Sequence, residues 1–451
     1  MAMMDDIEKT DSEISAAIRN EVKRQKEGLE LIPSENYVSK AVLQAMGSIL
    51  TNKYSEGYPG KRYYAGNRNI DIIENLAISR AKQAFNVEHA NVQPYSGSPA
   101  NFAVYCAVCK YGDVIMGHNL TDGGHLTHGW KTSMTGQLFK SVPYHVKSDG
   151  YLDIEEISKL AIENKPKLIW VGATAYVREF PFEELGKIAD EVGAYLAADI
   201  AHISGLVIAG VHKSPSPYVH IITTTTHKTL RGPRGGMIMV TKKGVEKDPE
   251  LPQKIDRAIF PGLQGGPHDH TTAGIAVALG EALKPEFKVY SQQIVKNAKA
   301  LGQSLMDNGI KIVTNGTDNH MILIDLTPFG KGKGVFLQDA MDEANLTANK
   351  NTIPGEPASA FYPSGLRLGT PAITTRGMKE PEMDIIGKWI ADIAKEVCKG
   401  EELPDDKEKR NAVLRNFKQD MKSNQTVART KNEVIELCRK FPLYPGMEIL
   451  H

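Results

Sequence analysis

Cysteine is scarce, with four residues in a chain of 451. Cys106 and Cys109 form a Cys-x-x-Cys pair, while Cys398 and Cys438 stand alone. A zinc site needs two more ligands at short spacing, so the pair reads as two buried small hydrophobes on the apolar face of a helix, set against a redox or zinc role. Charge of one sign is not in excess either: 54 Lys and Arg face 54 Asp and Glu. That balance argues against nucleic acid or an acidic membrane recognised by bulk charge, and leaves room for a local basic pocket. Long apolar runs are missing. The most apolar stretch, residues 194–211, is broken by Asp199 and His202, and nothing approaches the ~20 residues that cross a bilayer. The first residues are acidic and lack the layout of a signal or transit peptide, so a cytoplasmic protein is the expectation. No internal repeat or low-complexity tract is present. The charged stretch 400–410 reads as a solvated connector.

What is there is ordinary in amount and informative in order. Hydrophobic residues make up 41% of the chain, as in globular enzymes. Residues 12–27 predict a helix, with Ile14, Ile18 and Val22 in a stripe and Gly28 as the stop. From Glu30 to Leu283 strands and helices alternate. Lys167 to Ala173 reads as a strand, Phe182 to Val192 as a helix, Tyr195 to Asp199 as the next strand, and Val219 to Thr226 as another. Such βαβ units imply an α/β fold, a mostly parallel sheet with helices on both faces. Gly236 to Thr241 follows closely enough to run antiparallel. Beyond Lys284 the character changes: a helix over 291–308, strand-like runs at 310–314 and 320–326, a helix, a Gly/Pro-rich loop over 353–365, a short strand at 366–368, and charged helices. The expected division is an N-terminal helical arm (1–29), a large α/β domain (30–283) and a smaller C-terminal α+β domain (284–451).

The chemistry gathers where strands end. Thr223 to Thr226 lead into His227 and Lys228, and Arg231-Gly-Pro-Arg234-Gly235-Gly236 follows. A lysine at the mouth of a buried strand can have its pKa lowered and form a Schiff base with an aldehyde cofactor. Asp199 closes another apolar strand. In open α/β sheets ligands bind at carboxyl ends of strands, so one crevice can hold both. An acid for a pyridine nitrogen and a lysine for an aldehyde are what pyridoxal phosphate requires. Ser96, Gly97 and Ser98 precede a helical run through Val108, with Ser98 suited to the N-cap and Pro99 to the first helical position. Free N–H groups and the helix dipole make this a phosphate cup, with a plain helix start as the alternative. His125, among glycines, can stack on a flat ring. His125 with His128 raises the question of a metal, but no nearby carboxylate or cysteine set completes one. His268-Asp269-His270 prompts the same question, and a metal is the lesser reading there too. The segment Tyr54 to Tyr64 is dense in aromatics, charge and glycine and can supply a general acid in Glu56. Arg367, on a short strand beside glycines, suits bidentate capture of a carboxylate, the alternative being a structural ion pair. Gly332-Lys333-Gly334 reads as a turn.

Together these segments closely resemble the serine hydroxymethyltransferase family, pyridoxal-phosphate enzymes of fold type I. The resemblance runs from Leu31 to Pro445. It rests on Leu31-Ile-Pro-Ser34-Glu35-Asn36-Tyr37, Tyr54 to Tyr64, Gly123-Gly-His-Leu-Thr-His-Gly129, Asp199-Ile-Ala-His202, the Lys228 segment, and Phe260-Pro-Gly262-Leu-Gln-Gly-Gly-Pro267. It implies reversible transfer of the serine hydroxymethyl carbon to tetrahydrofolate, leaving glycine. It implies that Lys228 carries the cofactor as a Schiff base, that Asp199 holds the pyridine nitrogen protonated, that His125 stacks on the ring, and that Ser96, Gly97 and Ser98 hold the phosphate. Tyr54 and Gly262 reach that phosphate across a subunit boundary, which implies a homodimer or homotetramer. By the same resemblance Arg367, Ser34 and His202 would bind the substrate carboxylate, and His202 would also border the cofactor. Glu56 would donate a proton near the serine hydroxyl and Tyr64 would lie by the α-carbon. Thr225 and His227 would tune the lysine. Leu120, Gly124, Leu126, Asn349 and the loop through Ser359 and Phe361 would form the pterin site.

Three positions depart from the family pattern. Thr174, a cofactor-binding position by the resemblance, stands where a serine precedes Ala-Tyr, keeping a hydroxyl for a hydrogen bond to the ring oxygen and adding a methyl that can shift the ring. Ala360 replaces proline between Ser359 and Phe361, and Pro363 replaces a threonine. The last two bear on the one-carbon carrier, for which a methanopterin-type pterin is the alternative. Two rival functions are a threonine or β-hydroxy amino-acid aldolase needing no pterin, and a cofactor-binding protein without turnover. Intact Glu56, Tyr64, His202 and Arg367 argue against the second.

Overall fold

The computed structural model describes residues 5–399, 403, 404 and 406–445. Part of the expected connector at 400–410 and the first and last residues of the chain lie outside that range. Seven strands form the central sheet: β1 (His89–Asn91), β2 (Val114–His118), β3 (Lys140–Tyr144), β4 (Leu168–Val171), β5 (Tyr195–Asp199), β6 (Ile221–Thr225) and β7 (Gly236–Val240). Their spatial order is β1-β7-β6-β5-β4-β2-β3. Only β7 opposes its neighbours, pairing antiparallel with both β6 and β1. The expected α/β fold, a mostly parallel sheet flanked by helices, is thus met.

Why these segments are strands is visible in their side chains. In β4, Ile169 and Val171 enter one core while Leu168 and Trp170 enter another. In β5, Leu196 and Ala198 take the first side, Tyr195 and Ala197 the second. Strands covered on both faces must be apolar throughout, and they alternate sides with period two. The helix Phe182–Glu191 buries Phe182, Leu185, Ile188 and Ala189 on one stripe and carries Glu183 and Glu184 in its first turn, where the helix dipole favours them.

A third core is built from the long helix Pro285–Asp307, the strands Met321–Asp325 and Gly365–Gly369, and the helices Gly334–Glu343, Glu380–Val397 and Gln425–Lys440. The chain's own start joins it. The helix Ser12–Glu27 leads to Leu29 and Glu30, which pair parallel with Leu346 and Thr347. Leu29 and Leu31 are fully buried there.

Four expectations are corrected. Residues 310–314 make no strand: a lone bridge joins Ile312 to Ile324, and the chain bends away through Thr314 at φ +61°. The helix after the first strand starts earlier than expected, with Ser96 as N-cap and Gly97 to Val108 helical, so Ser98 and Pro99 lie inside its first turn. Cys106 is exposed, because Ala100, Ala103, Val104 and Val108 take the side that faces the core. The fourth concerns His125 and His128, and belongs to the site.

Candidate functional site

Five strands that run the same way deliver residues to one crevice. β1 leads to Ser96–Ser98, β2 to the turn 120–128, β4 to Thr174, β5 ends on Asp199, and β6 leads to Lys228. This is the carboxyl edge of the sheet, where strand ends leave backbone groups free for a ligand.

Lys228 is half-buried, and its amine makes no hydrogen bond or ion pair among the described residues. Burial pushes that amine down to about 8; Asp199 pulls the other way, and Arg367 and Arg234 add repulsion. Its carbonyl accepts from Asn36 Nδ2 at 3.0 Å and from the Arg231 amide at 3.0 Å, which fixes the backbone beneath the side chain.

Asp199 is a carboxylate surrounded by donors. Oδ2 accepts from Asn101 Nδ2 at 2.8 Å and faces His128 Nε2 at 3.2 Å, and Oδ1 accepts from the Ala201 amide at 3.1 Å. Burial works to raise its pKa, but the His128 and Asn101 bonds and the nearby histidines win and hold it well below the usual carboxylate range. His128 in turn stacks on Trp170 at 5.2 Å with planes 8° apart. Here the sequence reading needs correcting, since a carboxylate does stand at the His125–His128 pair. The ligating atoms of His125, His128 and Asp199 lie within 4.8 Å of one another. Asp199 comes from 71 residues further along the chain, so short-range spacing could not reveal it.

Two glycines let the walls close. Gly172 has φ +146°, and a Cβ there would lie 2.2 Å from the Asp199 carbonyl oxygen. At Gly97 a Cβ would lie 2.7 Å from the Thr225 methyl. Thr225 Oγ1 and His227 Nδ1 are buried without hydrogen-bond partners, and no acceptor meets the Gly97 or Ser98 amides among the described residues. Burial takes His227 down to about 3 and His125 to about 4, so both rings are neutral. His125 Nδ1 bonds Thr127 Oγ1 at 2.7 Å. The Thr174 hydroxyl donates to the carbonyls of Gly123 and Gly124, a contact its extra methyl does not prevent.

Arg367 is almost wholly buried and has no acidic partner among the described residues. Its Nε and Nη2 share Asn349 Oδ1 at 3.2 and 3.1 Å, and Nη1 donates to the Thr174 carbonyl. A buried guanidinium without a carboxylate is costly, so the ion-pair alternative fails and an anion-binding role gains. His202 is buried with Nδ1 3.4 Å from His320 Nε2, and burial lowers its pKa strongly. The segment bearing Ser34 is pinned beside this strand: the Gly369 amide donates to Leu31 O at 2.7 Å.

Tyr54, Glu56 and Tyr64 form a second cluster with the loop 262–266. Tyr54 and Tyr64 rings meet edge to face at 5.0 Å, and Glu56 Oε1 lies 3.1 Å from where a Gly265 Cβ would stand. Both tyrosines and Gly262 are exposed. Of the pterin candidates, Leu120 lines a cavity of about 310 Å³ with His118, His125, His128 and Trp130. Leu126 lines a different one of about 520 Å³ with Ser98, Phe102, Met134 and Leu263. Gly124 is buried, Asn349 touches Arg367, and Ser359 and Phe361 stand exposed on a loop whose carboxylate knot is Glu356. The sequence reading gave no role to Asn101, Asn36 or Glu356.

The serine hydroxymethyltransferase family profile matches residues 7–390. The chain belongs to that family. It is 50% identical over 444 residues to a serine hydroxymethyltransferase of Sorangium cellulosum (strain So ce56), covering 98% of this chain and 97% of the relative. It is 52% identical over 441 residues to that of Acidothermus cellulolyticus (strain ATCC 43068 / DSM 8971 / 11B), covering 97% of each. To that of Halorhodospira halophila (strain DSM 244 / SL1) it is 49% identical over 434 residues, covering 96% of this chain and 97% of the relative. Among the described residues no helix is long and apolar enough to cross a membrane.

Proposed function

We propose that Lys228 and Asp199 are the reactive pair of a pyridoxal-phosphate-dependent glycine hydroxymethyltransferase. The reaction is the reversible transfer of the serine hydroxymethyl carbon to tetrahydrofolate, giving glycine and 5,10-methylenetetrahydrofolate. The observation that carries the residue roles is the Lys228 amine, unpartnered and depressed to about 8, in the crevice shared with Asp199 and Arg367.

The residues present fit the cofactor. The free Gly97 and Ser98 amides suit a phosphate at a helix N-terminus, and the orphaned Thr225 Oγ1 and His227 Nδ1 are polar atoms in want of a partner. When bound, pyridoxal phosphate supplies an aldehyde carbon and a protonated heterocycle that accepts the electron pair of a breaking bond. Lys228 would offer its amine to that aldehyde, and the ionised Asp199 would keep a proton on the ring nitrogen. His125 would cover one ring face. Ser96, Gly97 and Ser98 would hold the phosphate, with Tyr54 and Gly262 contributed by a second subunit.

Arg367 takes the substrate carboxylate through two parallel N–H groups, aided by Ser34 and His202. Asn349, Leu120, Gly124, Leu126, Ser359 and Phe361 would surround the pterin. Glu56 serves the serine hydroxyl oxygen as proton donor, Tyr64 stands by the α-carbon, and Thr225 and His227 set the lysine's surroundings. Around this site we also propose a homodimer or homotetramer, a cytoplasmic location, and the division into an arm (1–29), a large domain (30–283) and a small domain (284–451).

Two measurements test this. The Asp199→Ala protein is expected to keep some cofactor absorbance and lose most of its turnover; normal serine cleavage by it sinks the electron-sink role. Serine cleavage is expected to depend strongly on tetrahydrofolate, and equal rates with and without it would favour the aldolase.

A further inference from the structure

We infer that Arg62 is a positioning residue for Glu56, holding the chain on both sides of the proton donor. This rests on the role given to Glu56 above. Arg62 lies in a two-stranded hairpin in which it pairs with Gly57. One guanidinium nitrogen, Nη1, donates to the carbonyls of Ser55 and Gly57 at 2.8 and 2.9 Å. The carbonyl between them, that of Glu56, accepts from the Tyr63 amide at 3.0 Å. Three consecutive carbonyls are therefore fixed, and the residue at their centre is the proposed donor. By contrast, the Glu56 carboxylate makes no hydrogen bond or ion pair among the described residues.

The guanidinium is itself held from behind. Nε donates to Asp71 Oδ1 at 2.9 Å and Nη2 to Glu74 Oε2 at 2.6 Å. Glu74 is 2% exposed and Arg62 5%, so the pair is shielded from water, and removing Arg62 would leave the Glu74 charge buried and uncompensated. Gln93 Nε2 ties the knot, donating to Glu74 Oε1 at 2.8 Å and to the Gly57 carbonyl at 2.9 Å. On the other side Ser55 Oγ donates to Asp269 Oδ1 at 2.6 Å, with both residues buried. A free side chain on a rigid backbone suits an acid that must meet a substrate oxygen in one geometry.

A lysine at position 62 keeps the charge but loses the planar fork. The test compares Arg62→Lys, Glu56→Gln and the double variant as holoenzymes with serine and tetrahydrofolate. Arg62→Lys is expected to lower kcat roughly tenfold to a hundredfold, with serine KM little changed. In the Glu56→Gln background the same change is expected to cost under about threefold, because the group it positions is gone. In the apo-protein, hydrogen exchange at the Tyr63 amide is expected to quicken in Arg62→Lys while the melting temperature stays close to wild type. Losses that multiply in the double variant, or a wild-type kcat in Arg62→Lys, overturn the inference. A wild-type kcat in Glu56→Gln alone would instead sink the donor role of Glu56, a separate result. Should Arg62→Lys fail to fold, Glu74→Gln, which loosens the same fork, takes its place with the same two outcomes.

Discussion

At the scale of single residues, the chemistry turns on an amine whose hold on its proton burial has weakened. Below about 8 the Lys228 amine carries a proton and cannot attack, and each unit of pH lower leaves about tenfold less of the neutral form. Cofactor uptake by the apo-protein, followed by its absorbance, is therefore expected to slow as pH falls from about 8 and to level off above it. A midpoint near the ordinary lysine value would show that burial does not act as described. Arg367→Lys is expected to raise the serine KM roughly tenfold to a hundredfold, since one of two charge-assisted bonds is lost; steady-state kinetics check it. Lys228, Asp199 and Arg367 were readable in the chain because each breaks a local rule: the first two put a charge where an apolar strand ends, the third puts one in the middle of a short strand. Asn101, His128 and Arg62 were not readable as partners. Their meaning lies in contacts with residues 98, 71 and 12 positions away respectively.

At the scale of elements, double burial made the strands easy to see. The apolar runs at 168–171, 195–199 and 221–225 had no polar alternation to confuse them with surface segments. Helix starts were harder. Ser96 and Ser98 both satisfy the N-cap signal, and proline is tolerated throughout a first turn, so the choice between them rests on tertiary packing. The run 310–314 misled because Ile310 and Ile312 alternate as a strand would, yet both are buried beside a bend and only one bridge forms. The meeting of β4 and β5 yields a prediction at this scale. Gly172→Ala places a methyl 2.2 Å from the Asp199 carbonyl in a left-handed backbone position. It is expected to destabilise the apo-protein by roughly 1–3 kcal/mol and to weaken cofactor binding. Calorimetry and titration measure the two, and an unchanged melting temperature would show that the strand ends part easily.

At the scale of the whole molecule, the cluster of half-buried Glu56 with exposed Tyr54 and Tyr64 bears on assembly. If those residues serve a partner's crevice, mixing Lys228→Ala subunits with Glu56→Gln subunits after reversible dissociation restores roughly a quarter of the wild-type sites. If each chain completes its own site, mixing restores none. A second consequence follows from the pairing of Leu29 and Glu30 with Leu346 and Thr347, and from Leu31 lodging against Gly369. A ribosome emits the first of these residues long before the last. The opening strand must therefore wait, unpaired, until some three-quarters of the polypeptide has emerged. Ser34 and Asn36, only a few positions further on, wait with it. A nascent chain halted before residue 340 would hold a formed central sheet and an unfinished substrate pocket, so competence arrives with the closing segment of synthesis.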